Sequence, residues 1–147
     1  MEWVAAEPQG TRIVLVGHSY GGDTAAQVAV TLGAQGRPVD TPITVDPVGR
    51  GVNEGFLARV RAGSREWVNI RSYGVKVSDS SDRIAALGSR YGASPRGYAA
   101  LYIEAPYNHG TFNDLLRYTD PTSVSGFNRI LGQGGSSSKF IPLAFYC

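Results

Sequence analysis

The segment GHSYG places Ser19 between Gly17 and Gly21 in the pattern G-x-S-x-G. A serine hydroxyl attacks a carbonyl carbon only when a base takes its proton, so acyl transfer at Ser19 requires a histidine elsewhere in the chain. There are two, His18 and His109. His18 adjoins Ser19, where its side chain points away from the hydroxyl, and it reads as a structural residue. His109, in the loop PYNHG, takes the role of base; its ordinary alternative is a surface-loop histidine. A third group must orient the imidazole and offset its positive charge. Asp46 follows the apolar run TPITV and is the first choice, because a strand end holds a side chain more firmly than a loose loop does. Asp79 and Asp82 are the alternative acids. The plainer readings are an Asx-turn before Pro47 for Asp46 and helix caps for Asp79 and Asp82.

Elements must bring these residues together. Residues 12–16 (RIVLV) form a continuous apolar run of strand length, which predicts a strand buried on both faces. After the glycines, Ala25, Val28, Ala29 and Leu32 fall at i, i+3, i+4 and i+7, a helical stripe that Asp23 suits at its start and Gly33 or Gly36 can end. Further strands are expected at 41–45, 67–73 and 99–105, with helices at 53–62, 111–118 and 122–131. The last would be capped by Asp120 with Pro121 in its first turn. Residues 3–7 read as the end of a helix, 78–97 mostly as loop, and 132–138 (GQGGSSS) as flexible. Strands alternating with helices predict a mostly parallel sheet with helices on both faces. The expected division is one domain over 1–131, a linker at 132–139 and a tail at 140–147.

The setting sharpens the serine motif. A strand turning abruptly into a helix presents the serine at the sheet's carboxyl edge, beside exposed N–H groups able to stabilise an oxyanion. VGHSYGG after an apolar strand resembles the nucleophile elbow of the α/β-hydrolases, the lipases, esterases and thioesterases. ITVDP resembles the acid-bearing strand end of some members, and NHGTF their histidine loop. The resemblance implies Ser19 as nucleophile, Asp46 as acid, His109 as base and the backbone N–H of Tyr20 as an oxyanion donor. The order serine, acid, histidine agrees with that superfamily. In the family several strands precede the elbow, and a loop after an early strand supplies the second oxyanion donor. Here only residues 1–10 precede the elbow strand, so the amino-terminal strands are read as missing. A longer chain or a second chain would complete the sheet, and residues 12–16 would otherwise be an exposed edge.

Composition narrows the alternatives. The chain has 147 residues, 42% of them hydrophobic and 18% charged, with a formal charge of +2. That is one globular domain, with no basic run of the kind that binds nucleic acid. A single cysteine, Cys147, excludes an intrachain disulfide and a cysteine-rich metal site. Gly17, Gly21 and Gly22 lack the lysine of a phosphate-binding loop, so no metal or cofactor is implied. The expected activity is hydrolysis of a small-molecule or lipid ester through a Ser-His-Asp triad. A thioesterase, or a truncated module that binds without catalysis, are the alternatives. The absence of a signal peptide points to the cytoplasm, and a missing amino-terminal segment would allow secretion.

Overall fold

The structure, a computed structural model, describes residues 6–8, 10–119, 125–131 and 138–143. Its apolar runs form β1 (Arg12–His18), β2 (Thr41–Val45), β3 (Val68–Ser72) and β4 (Leu101–Ala105). These pair in parallel in the order β4-β3-β2-β1. The expected exposed edge is not found. A fifth strand, β5 (Ser138–Leu143), lies parallel to β1 on its other side, with Arg12 opposite Ser138 and Gly17 opposite Leu143. The end of the expected linker and the start of the expected tail therefore belong to the sheet. Phe140, Ile141 and Leu143 give this segment strand-forming composition, and β1 would otherwise leave its outer N–H and C=O groups unpaired. The expected linker residues 132–137 and tail residues 144–147 lie outside the described residues.

Helix α1 (Tyr20–Ala34) starts immediately after Ser19, three residues ahead of Asp23. Helix α2 (Glu54–Ala62) is capped by the Asn53 side chain, which accepts from the Phe56 N–H. Residues 78–97, read mostly as loop, contain α3 (Ser80–Leu87) and a short 3₁₀ turn, Pro95–Gly97. α3 is nucleated by a capping box: the Asp79 side chain accepts from the Ser81 and Asp82 N–H groups, and Asp82 accepts from the Asp79 N–H. Helix α4 spans Phe112–Arg117 and α5 spans Gly126–Leu131. The proposed cap at Asp120 and Pro121, and residues 3–5 of the amino-terminal helix expected over 3–7, fall outside the described residues; Ala6 and Glu7, ahead of Pro8, form a turn and a bend rather than helix.

Alternate residues of β1 enter different clusters. Val14 and Val16 pack with Ile43, Ile70, Leu115 and Leu116, whereas Ile13 and Leu15 pack with Ala25, Ala29 and Leu32 of α1. Period-two alternation in a strand that is apolar throughout requires this. α1 and α2 approach closely: a Cβ placed on Gly63 would lie 2.1 Å from the Ala29 carbonyl oxygen.

A buried polar chain locks β2 to β3. The Trp67 indole N–H donates to Thr44 Oγ1 over 3.0 Å, and Thr44 Oγ1 donates to Asn69 Oδ1 over 2.7 Å. Thr44 and its two partners are all essentially inaccessible to solvent. Thr44→Val keeps the shape but strands the Trp67 N–H. It is expected to cost about 1–3 kcal/mol, read as a lower denaturant midpoint at unchanged m-value; an unchanged midpoint would contradict this account of the β2–β3 lock.

Candidate active site

Parallel pairing puts the carboxyl ends of all the strands on one edge, and the sequence-selected residues emerge there. Ser19 directly follows β1, Asp46 directly follows β2, and His109 lies in the loop between β4 and α4. The chain cannot turn from β1 into α1 without an unusual backbone. Ser19 sits at φ 58, ψ −125, a region that costs a non-glycine residue about 1–3 kcal/mol. Its surroundings hold it there. The Ser19 N–H donates to the Val45 carbonyl over 3.0 Å. Its own carbonyl accepts from Gly22, Asp23 and Val48 at 3.0, 3.3 and 3.0 Å. Gly17 is obligatory, since a Cβ there would lie 2.0 Å from the Gly21 carbonyl oxygen.

The side chains meet in the order the chemistry needs. His109 Nε2 lies 2.9 Å from Ser19 Oγ, and His109 Nδ1 lies 2.6 Å from Asp46 Oδ2. All three residues are buried, Asp46 to 2% exposure. A carboxylate only accepts, so Nδ1 carries the proton and Nε2 is left to accept from the serine hydroxyl. Asp46 has a positive φ of 41, and its other oxygen accepts from the Ser72 N–H over 3.2 Å. The Tyr20 N–H, at the first position of α1, has no hydrogen-bond partner among the described residues.

Two further contacts clamp the His109 backbone. Its N–H donates to Asp82 Oδ1 over 2.9 Å, and its carbonyl accepts from His18 Nε2 over 2.6 Å. Asp82, an alternative acid from the sequence, thus touches His109 through the main chain and not the ring. Asp79, the other alternative, is exposed and caps α3. His18 holds the His109 loop, with the two rings 4.8 Å apart. Burial pushes the His18 imidazole below its ordinary value, outweighing the upward pull of the His109 carbonyl. For Asp82, burial acts upward, but the His109 and Asp79 N–H groups, the Asn108 amide and Arg90 together hold the carboxyl below its ordinary value. The backbone roles of Asp82 and His18 carry no sequence signal. Among the described residues no group of three or more His, Cys, Asp or Glu is arranged to hold a metal ion, and no helix is long and apolar enough to cross a membrane.

No protein-family model, curated protein or solved structure matches the chain, so the reading of the site rests on its geometry.

A carboxyl whose folded value is depressed stabilises the fold above its unfolded value of 3.8 and loses that contribution as pH falls through the lower, folded value. Asp82→Asn is therefore expected to cost about 1–3 kcal/mol at pH 7, with the gap to wild type closing as the solution is acidified below that range. Denaturant midpoints across acid and neutral pH test this; a gap independent of pH would remove the charge of Asp82 from the clamp.

Proposed function

We propose that the protein is a serine hydrolase that cleaves carboxylic esters on an α/β-hydrolase-like scaffold, with helices covering both faces of its parallel sheet. The observation that carries this reading is the continuous chain from Ser19 Oγ through His109 to Asp46, at 2.9 and 2.6 Å, at a serine held with positive φ. Separate helical partners for alternate residues of β1 support the two-sided covering.

In the proposed reaction Ser19 Oγ attacks the ester carbonyl carbon as its proton passes to His109 Nε2. The imidazolium that forms faces Asp46. The Tyr20 N–H supplies a donor to the oxyanion, at the positive end of α1. Collapse of the tetrahedral intermediate breaks the C–O bond, the alkoxide takes the proton from His109, and an acyl-serine remains. Water attacks that acyl group as its proton passes to His109; the second tetrahedral intermediate then breaks its bond to Ser19 Oγ, which takes the proton back from His109, and the acid leaves.

The surroundings favour an ester with an apolar portion. The large hydrophobic side chains left exposed among the described residues are Tyr20, Tyr73, Val77, Ile84, Leu87 and Tyr107. Of these, Tyr20, Tyr73 and Tyr107 lie within two residues of the carboxyl ends of β1, β3 and β4, the edge where Ser19 emerges.

Hydrolysis of chromogenic acyl esters and labelling by a fluorophosphonate test the reading. Ser19→Ala is expected to abolish both. His109→Gln and Asp46→Asn are expected to lower turnover by about 10⁴-fold, while Asp79→Asn stays near wild type. Equal rates in wild type and Ser19→Ala would overturn the assignment, and a folded wild type inert to both reagents would favour a binding module.

A further inference from the structure

Asp46 and Asp82 hold the same histidine, one by its ring and one by its backbone, and a single cation reaches both. Arg90 Nη2 lies 3.4 Å from Asp46 Oδ2 and 3.5 Å from Asp82 Oδ1. These are the two oxygens that accept from His109 Nδ1 and from the His109 N–H. We propose that Arg90 is a positioning residue that ties the ring-bound and backbone-bound carboxylates together and sets the proton affinity of His109; this rests on the reading of His109 as the base.

The placement of Arg90 is built into the loop that carries the acid. Its backbone forms an antiparallel bridge with Val48, and the Gly49 N–H donates to the Ser89 carbonyl over 2.9 Å. Ser89, immediately before it, has φ 69, a left-handed residue just past the Gly88 cap that ends α3 and begins the segment carrying Arg90. The guanidinium Nε is buried without a partner among the described residues. An unsatisfied donor is tolerated where the rest of the group is held for another purpose, here the two carboxylates.

The electrostatic consequence has a definite sign. The groups that reach His109 directly or through one carboxylate are Asp46 from the end of β2, Asp82 from α3, Arg90 after α3, and His18 from β1. Asp46 favours the imidazolium. Arg90 shares the very oxygen that faces the ring, so it offsets part of that charge and opposes the imidazolium. Without Arg90 the ring holds its proton to higher pH and is less available as a base at a given pH. A residue serving packing alone would lack this effect.

The test is an NMR titration of the His109 ring in the full chain, its signal assigned by its loss in His109→Gln. Arg90→Met is expected to raise the titration midpoint by about one pH unit, and Arg90→Lys to leave it near wild type. A cavity of about 160 Å³, lined by Asp46, Asn69, Arg71, Arg90 and Ser94, adjoins the guanidinium. Methylguanidinium added to Arg90→Ala is therefore expected to draw the midpoint back down. Should Arg90→Met not fold, Arg90→Gln is expected to show the same upward shift. An unmoved or lowered midpoint in a folded neutral variant overturns the proposal, even if its unfolding temperature falls. The readout does not need turnover. Lack of Ser19-dependent hydrolysis overturns the hydrolase reading, whereas the midpoint judges Arg90.

Discussion

The Asp46 carboxylate is the group whose burial the surrounding architecture must compensate. A charge removed from water is tolerated only when its lone pairs are occupied and its field offset. Here the Ser72 N–H takes one oxygen, and His109 Nδ1 and Arg90 share the other. Each donor comes from a different part of the chain: β3, the loop after β4, and the segment after α3. The sheet order β4-β3-β2 brings those segments to one edge, and parallel pairing makes it the edge from which Ser19 also emerges. Satisfying one buried acid thus draws four segments to the same place.

Backbone strain is concentrated where those segments meet. Ser19, Asp46 and Ser89 are the non-glycine residues with positive φ among those described, and each borders the site. The Ser19 carbonyl, with three donors from α1 and from the loop after β2, links the strained positions. Such conformations persist when the surroundings over-determine them, and the density of hydrogen bonds at the elbow does so. The lock between Thr44, Trp67 and Asn69 lies one turn of pleat below Asp46 and keeps β2 and β3 from sliding.

What was legible in the sequence follows from what each element depends on. Strands β1 to β4 could be read because residues buried on both faces must be apolar in succession, and that pattern is local. The meeting of Ser19, Asp46 and His109 was legible because strand ends in a parallel sheet share an edge and only two histidines were available. Helix α3 escaped because it buries only Asp82 and Ala85 and exposes Ile84 and Leu87, so it has no apolar stripe. Its one sequence trace was the pair of aspartates suited to capping. β5 escaped because a short apolar segment after a glycine-serine run gives no sign of which edge it will cover. The contacts of Asp82 and His18 with the His109 main chain were invisible for a deeper reason: backbone groups have no residue type to read.

That main-chain clamp bears on how the site works. In the proposed hydrolase the general base must hold its position while its charge changes, since the proton taken from the serine is returned to the leaving group. An imidazole fixed only by its ring would have its orientation depend on the bond whose strength changes as it is protonated. His109 is held instead by its N–H on Asp82 and its carbonyl on His18, two contacts that the charge of the ring does not break. The ring's own bond to Asp46 is then free to strengthen as the imidazolium forms. Desolvation favours neutral His18, which donates to that carbonyl without placing a second positive charge beside the first. Geometry is assigned to the backbone and charge to the side chains, and in the proposed reaction this separation is what would allow His109 to take and return a proton without the loop that carries it having to move.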